Sequence, residues 1–395
     1  MTDWSSYWWE SITGPKNLTL AVARELREKG NVCLIVPDDL PWRGQMRATV
    51  EYELRQSPEM EDFDVDLIDV ADECENVVDI GRYLLEKYGQ PSVASGYRRR
   101  EKIQQYMVQH RVLENRVLWV KGMNEDQCRK WIAFCKDYVP TRERDGRFVL
   151  ECHTDIKESE RRNLGIIHYS ERINNFDLSL FNSTYINQSE NRFTPVWETY
   201  AATLASVLCG TDAEISAALM AVLSFQSQEP AEALCQLAMD PQYNRRGSES
   251  RDHILSLVRD GNTDEVQSLI WKAQLQIIFP LVEIERMAFV EKYHDQINIA
   301  LRDTYTDYQS GYGKRIKQFG EYVDLPENAE LGTLYRLTKL RRDADSSQYL
   351  LYLPDEESRT RLELLHAVRN NLAHGTACSI GQVAAFIDSF PYLWK

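Results

Sequence analysis

Apolar positions recur with two different periods over roughly the first 190 residues. Between 15 and 29, Leu18, Val22 and Leu26 fall on one helical stripe, and Gly30 closes it. The run 31–36 is short, apolar and β-branched, and Pro37 ends it, which is the pattern of a buried strand. A helix is expected over 42–55 and a second strand over 64–70, with helical segments filling 73–88 and 99–113. A third strand is read at 116–120, ended by Lys121-Gly122. Asn124 is placed to cap a helix running to Tyr138. The runs 147–152 and 165–169 supply a fourth and a fifth strand. Strands separated by helices predict a mainly parallel sheet with helices on both faces.

From residue 194 onward the strand pattern fades. Helices are predicted over 196–208, 213–225 and 248–259. The segment 264–302 is one long helical pattern interrupted at Phe279-Pro280, where the helix must end or kink because proline lacks the N–H that the ladder needs. Residues 305–313 are polar and contain glycine, as a loop does. Helical patterns resume over 330–342, 356–373 and 379–388. The expected fold class is α/β followed by all-α. An α/β domain spans 1–190, a helical linker region 191–268, and a C-terminal helical bundle 269–395.

Composition narrows the class. The chain has 395 residues, of which 43% are hydrophobic, enough for real cores. No stretch of 18 apolar residues is present, so no membrane span is expected. The first ten residues are polar and tryptophan-rich and lack the basic start and apolar run of a secretory signal, so a cytoplasmic location is expected. Trp4, Tyr7, Trp8 and Trp9 suit either core packing or a docking peptide. Eight cysteines are scattered without a C-x-x-C pair. The spacing of Cys128 and Cys135 suits two core positions, as reduced buried thiols. No His, Cys and Asp cluster has zinc spacing, so neither a metal nor a cofactor is expected.

The net charge of −15 excludes a general nucleic-acid coat, since phosphate contacts need clustered cations. Three local basic groups stand out: Tyr97-Arg98-Arg99-Arg100 with Lys102, Lys314-Arg315-Ile316-Lys317, and Lys339 with Arg341 and Arg342. Each fits a solvated helix face or connector.

Two motifs carry candidate chemistry. Ser11-Ile12-Thr13-Gly14-Pro15-Lys16-Asn17 stands where a phosphate-wrapping loop could lie, with Gly14 and Lys16 as possible vestigial phosphate-binding residues. Asn17 replaces the Ser or Thr that would hold Mg²⁺, and Pro15 removes a donor. The strand at 117–120 ends in Lys121, where a metal-holding acid is needed. The Gly14-Pro15-Lys16 turn and the element order over about 8–185 resemble a degenerate P-loop ATPase of the AAA+/STAND kind. The resemblance implies a domain that no longer hydrolyses ATP. A plain α/β scaffold with an ordinary turn is the other reading.

The second motif is Arg369-Asn370-Asn371-Leu372-Ala373-His374, at the end of a predicted helix closed by Gly375. Asn370 and His374 stand at i, i+4, Arg369 lies on the neighbouring edge, and Leu365, Val368 and Leu372 form the opposing stripe. The run resembles the Arg-Asn-x-x-x-His signature of HEPN domains, helical bundles found in many prokaryotic toxins and antiphage proteins. That resemblance implies a pair of copies meeting as a homodimer and cutting RNA without metal. His374 would be the general acid or base, Arg369 would steady the phosphate charge, and Asn370 would orient the reactants, leaving a 2′,3′-cyclic phosphate end. Glu283 or Glu285, just after Pro280, is the expected supporting acid, against the plainer reading of a helix-start carboxylate. His366 reads as a surface or partly buried residue. His153 and His168 read as structural.

The two resemblances together imply a prokaryotic defence effector, in which an inactive nucleotide-binding-like domain controls a HEPN-like ribonuclease alongside partner proteins. The alternative is a non-catalytic scaffold or sensor subunit of a multi-protein antiphage, DNA-processing assembly.

Overall fold

The computed structural model of the chain describes every residue except 1, 29, 76, 99, 154–155, 157–159, 189–192, 249, 307–312, 343–347 and 395. The chain divides into two compact units. The first comprises 1–181 and 209–217, and the second comprises 182–208 and 218–395. The stretch expected to link two domains is therefore shared between them.

The first unit is built on five strands, β1 (Asn31–Ile35), β2 (Asp64–Asp69), β3 (Arg116–Lys121), β4 (Arg147–Cys152) and β5 (Gly165–His168). They lie in the order β2-β3-β4-β1-β5, and every pairing is parallel. Helices connect them: α1 (Trp4–Ser11) and α2 (Thr13–Glu28) precede β1, and α3 (Arg43–Arg55) follows it. Short helices α4 (Val70–Glu73), α5 (Ile80–Tyr88), α6 (Pro91–Gly96) and α7 (Ile103–Gln109) lie between β2 and β3, and α8 (Glu125–Asp137) lies between β3 and β4. The central strands β1 and β4 are buried along their whole length, as strands covered on both faces are. The edge strand β2 carries Asp64, Asp66 and Asp69, charges that discourage pairing with another chain.

All five predicted strands form. Asn124 caps α8 in a full capping box with Gln127. The helix predicted over 15–29 begins earlier, at Thr13, and Lys29 lies outside the described residues. An additional N-terminal helix, α1, is capped by Asp3 and buries Trp8 and Trp9 completely. Its rings pack edge-on to Phe181, with Trp4 at 5.7 Å and Trp8 at 5.6 Å. The N-terminal aromatics thus serve the core rather than a docking peptide. Cys128 and Cys135 are core residues, and Cys33 Sγ lies 3.5 Å from Cys152 Sγ.

A charge cluster sits beneath the carboxyl edge of β3 and β4. The Glu151 side chain is 1% exposed. Its carboxylate accepts from Arg43 Nη1 at 2.6 Å, Arg47 Nε at 2.7 Å and Trp119 Nε1 at 2.6 Å. Burial pushes the Glu151 carboxyl up, but the Arg47 hydrogen bond, the two guanidinium charges and the indole N–H outweigh it and hold it below the usual value.

The second unit is mainly helical. The helix α9 (Asn175–Gln188) enters it from the first unit. The others are α10 (Pro195–Cys209), α11 (Ala213–Val222, which begins in the first unit), α12 (Pro230–Met239), α13 (Ile254–Arg259), α14 (Thr263–Lys292), α15 (His294–Arg302), α16 (Leu331–Leu337), α17 (Glu356–Ala373) and α18 (Ile380–Ile387). Two brief antiparallel ladders interrupt them, Tyr305–Thr306 with Gly313–Lys314 and Lys317–Gln318 with Glu321–Tyr322. The predicted loop over 305–313 lies largely outside the described residues.

Of the two outcomes expected at Pro280, an end or a kink, the end does not occur, and α14 runs on to Lys292. Pro280 and Gln276 are both exposed, so the Gln276 carbonyl that Pro280 cannot bond faces solvent and costs little. The helix predicted over 248–259 is reduced to α13, and α12, which starts on Pro230, has no counterpart among the predicted elements. Among the described residues no helix is long and apolar enough to cross a membrane.

Replacing Glu151 by Ala strands two arginines and an indole N–H. We expect the unfolding free energy in urea to fall by about 3–5 kcal/mol. A loss below ~1 kcal/mol would show that Arg43 and Arg47 find other partners.

Candidate functional site

The helix α17 is well specified at both ends. Asp355 accepts from Ser358 N at 2.6 Å, and Glu356 and Glu357 follow in the first turn. Leu362, Leu365, Val368 and Leu372 form the buried stripe. At the far end Gly375 adopts φ 77°, and Thr376 N returns to Asn371 O at 2.9 Å. Two residues of α14 read this end. Trp271 Nε1 donates to Leu372 O at 2.8 Å, and Gln274 bonds both the N–H and the C=O of Cys378, at 2.7 and 2.9 Å.

Glu285 and Arg361 fix how α17 lies on α14. Their side chains are 2% and 4% exposed. Arg361 Nε donates to Glu285 Oε2 at 2.9 Å, and Nη2 also contacts the carboxylate. Arg361 further bonds Ala385 O at 3.2 Å and Ser389 Oγ at 2.9 Å, and its guanidinium lies 4.8 Å from the Phe386 ring centre. Glu285 is therefore spent on Arg361, two turns away from Arg369, and does not support the motif as expected. Glu283 does not reach the motif either, since its carboxylate binds Arg286 Nε at 2.7 Å. Arg286 in turn holds Glu327 O and Ala329 O, at 3.1 and 3.2 Å. The contribution of Glu283 is thus indirect: it steadies the segment that presents Glu330.

Glu330 is the carboxylate that meets Arg369, accepting from Nη2 at 2.9 Å. It sits at the N-cap of α16, where Gln318 Oε1 accepts from Glu330 N and from Thr333 Oγ1. Arg369 Nη1 reaches Asn370 Oδ1 at 3.5 Å, and Asn370 Nδ2 lies 3.0 Å from His366 Nε2. The His366 ring stacks on Tyr335, with centroids 4.4 Å apart at 12°. Lys339, paired with Glu363 at 2.5 Å, covers the Tyr335 ring at 5.0 Å. A Cβ built on Gly332 would meet His366 Nε2 at 3.8 Å, an ordinary van der Waals contact, so α16 passes close to the imidazole here.

The polarity of this chain is fixed by what each group can do. Arginine only donates, so the Asn370 oxygen faces it and the Asn370 NH₂ faces His366. His366 Nε2 must then accept, with the ring neutral and its hydrogen on Nδ1. Burial, followed by the nearby Arg369 charge, lowers the His366 pKa below the usual histidine value, which agrees with the hydrogen bonding.

His374, the final motif residue, is the C-cap of α17, and its side chain is exposed. Its backbone N–H bonds Asn370 O at 3.1 Å. Arg369 and Asn370 are therefore joined in one network, and His374 stands one turn beyond it. Asn371 is structural, reaching Gln382 of α18 at 3.2 Å.

Sequence reading passed over His366, although its i+3 and i+4 spacing to Arg369 and Asn370 was the available signal. Glu330 and Tyr335 gave no such signal, because the fold brings them to α17 from a separate helix. The other candidates behave as scaffold. His153 lies between Asp38 Oδ1 (2.9 Å) and Met123 O (2.7 Å). Lys102 pairs with Asp137, Arg342 with Asp303, and Arg315 with Asp324. Arg99 lies outside the described residues. Among the described residues no group of three His, Cys, Asp or Glu could hold a metal ion.

The expected phosphate site at Gly14 and Lys16 is corrected by the fold. These residues lie in the first turn of α2, before β1, and not at the carboxyl end of a strand. Gly14 N donates to Asp177 Oδ1 at 2.9 Å, and a Cβ at Gly14 would fall 2.4 Å from Asp177 Oδ2. The donor is taken by a buried carboxylate that would repel phosphate. Lys16 points outward from the helix. In an open parallel sheet, ligands bind at the carboxyl ends of the strands, near the point where the connections reverse. Here that is beside β1 and β4, where Glu151 already neutralises Arg43 and Arg47.

No protein-family model and no curated protein sequence matches this chain.

The His366 ring should titrate below the ordinary histidine midpoint of about 6.5, read by NMR on histidine-labelled protein. Removing the cation in Arg369→Met should raise that midpoint. Because the folded value is depressed, the contribution of His366 to stability is full above the unfolded value and is lost as pH falls through the folded one. A midpoint at or above 6.5 would contradict the hydrogen-bond polarity derived above.

Proposed function

We propose that the second unit is a metal-independent ribonuclease of the HEPN kind, acting as a homodimer in which the α17 motifs of two copies meet. The observation that carries this reading is the Glu330–Arg369–Asn370–His366 network, on a helix that ends in the exposed His374. Arg369 offers a planar fork to phosphate oxygens. Glu330 holds that fork in the free protein, and a phosphodiester competes for it. Asn370 positions the imidazole, and His374 exchanges a proton with the reacting oxygen. Attack of the ribose 2′-hydroxyl on the adjacent phosphorus then leaves a 2′,3′-cyclic phosphate.

In this reading the first unit is a pseudo-ATPase that regulates the nuclease. The filled Glu151 cluster supports it, since it places a carboxylate at the carboxyl edge of the sheet, where phosphate would need donors. The role in antiviral defence, with partner proteins in the cytoplasm, rests on the resemblance of the motif. A second reading has its own support. The ion pair of Arg369 with Glu330 closes the network internally, as a purely structural module would, and such a chain would serve as a scaffold or sensor subunit of an antiphage assembly.

Wild-type protein should cut single-stranded RNA in the presence of EDTA. The Arg369→Ala/His374→Ala protein should lose at least about 10²-fold in rate. RNA left intact by both proteins, with antiphage protection retained by the double variant, would favour the scaffold reading.

A further inference from the structure

The basic group at 314–317 lies on a hairpin beside the motif rather than on a helix face. Lys317–Gln318 pairs with Glu321–Tyr322, and Phe319-Gly320 is the two-residue turn between them. Ile316 and Val323 are buried and root the hairpin in the helical unit. Gln318 and Glu321 share one face of the ladder, and Lys317 and Tyr322 share the other. Gln318 ties its face to the start of α16, donating to Asn328 O at 3.2 Å and accepting from Glu330 N at 3.0 Å. Glu330 in turn holds Arg369, so the turn follows directly on the residue that braces the partner of Arg369.

The turn carries an unexpected residue. Phe319 and Gly320 have φ of 52° and 88°, the left-handed pair of a type I′ turn. Asn or Asp is favoured before the glycine, because a short polar side chain tolerates this backbone better than a bulky ring does. Phe319 is also 85% exposed, so burial does not offset the strain. A residue that costs the turn stability and gains nothing from the core points to a role outside the fold. Tyr322 is half exposed, and Lys317 Nζ and Arg315 Cζ each lie 4.8 Å from its ring centre. Arg315 is spent on Asp324, at 3.3 Å. Among the described residues no carboxylate pairs with Lys317. In a chain of net charge −15, the hairpin thus offers an ammonium and two exposed rings next to the motif.

The geometry points to this hairpin as a holder of single-stranded RNA: one unpaired base stacks on Phe319, and Lys317 meets the phosphate beside that base. Stacking on a ring requires a base free of its duplex and is tolerant of sequence, because every base has a π face. A lipid surface is the weaker occupant, since anchoring there needs a large apolar face or a cluster of cations. The inference rests on the ribonuclease reading above and adds to it a binding step outside the motif. The strand is held at the hairpin while a neighbouring phosphodiester lies against Arg369, and Gln318 couples the two places through Glu330.

The test is fluorescence anisotropy of the full-length protein at fixed salt with a labelled, single-stranded 2′-O-methyl RNA oligonucleotide. That probe lacks the attacking hydroxyl and stays uncut. Phe319→Asn should bind it about 5- to 150-fold more weakly than wild type, the range for losing one stacked base. The thermal midpoint of Phe319→Asn should equal or exceed that of wild type, because Asn suits the turn. Phe319→Trp, which keeps a ring, should bind like wild type. Lys317→Met should weaken binding and lower the salt slope by about one. On cuttable RNA, Phe319→Asn should raise KM and leave kcat nearly unchanged. A ring needed only for folding gives the opposite pattern, with stability lost and affinity kept in Phe319→Asn. The inference is also overturned if an RNA duplex binds as tightly as the single strand. It fails too if wild type ignores the oligonucleotide and adsorbs through Phe319 to vesicles of phosphatidylcholine and phosphatidylserine. Each of these outcomes leaves the ribonuclease reading to the cutting assay in EDTA. Wild type that holds the oligonucleotide through Phe319 but cuts no RNA retires that reading and keeps this one.

Discussion

A carboxylate taken out of water must be matched, and the match between Glu285 and Arg361 organises the helical unit. Each would be costly alone, and together with the carbonyls of Ala385 and Phe386 they leave little freedom in how α17 lies on α14. An apolar stripe permits sliding, whereas a bidentate charge pair with further hydrogen bonds does not. Fixing Arg361 fixes Arg369 two turns later, and with it the direction in which Asn370 and His366 present their polar atoms. Trp271 and Gln274 hold the far end of the same helix, so the motif sits on a segment anchored on both sides.

The first unit meets the same constraint with a different result. Glu151 lies on a central strand near the carboxyl edge, where parallel sheets of this kind hold ligands. It draws in Arg43 and Arg47 from the helix after β1 and Trp119 from β3. The protein thereby supplies its own anion to the place where an external one would bind. The glycine that looked suited to phosphate meets an equivalent fate at Asp177.

The strands were legible because each is a β-branched apolar run set between breakers, and burial on both faces leaves such runs little alternative. The helix α17 was legible from its caps and its stripe. Other features depended on distant partners. The helix α1 gains its burial from α2, α3 and Phe181, the last far along the chain, so its polar and aromatic sequence gave no clear period. Pro280 was read as a break because its orientation toward solvent is a tertiary fact. Glu283 and Glu285 looked available to Arg369 by type and position, but Arg286 and Arg361 claim them first. Glu330 reaches the site only because Arg286 and Gln318 hold the start of α16.

The amide of Asn370 works as an adaptor between a group that only donates and a ring nitrogen that must accept. Among side chains of its size it alone presents both roles within one planar group. Aspartate has the same outline but would present an acceptor to His366, which would then have to carry a hydrogen on Nε2. Exchanging one NH₂ for an oxygen would thus move the imidazole hydrogen from Nδ1 to Nε2, with every carbon still in place. Asn370 in that sense fixes the tautomer of its neighbour, a property that a comparison of shapes would miss.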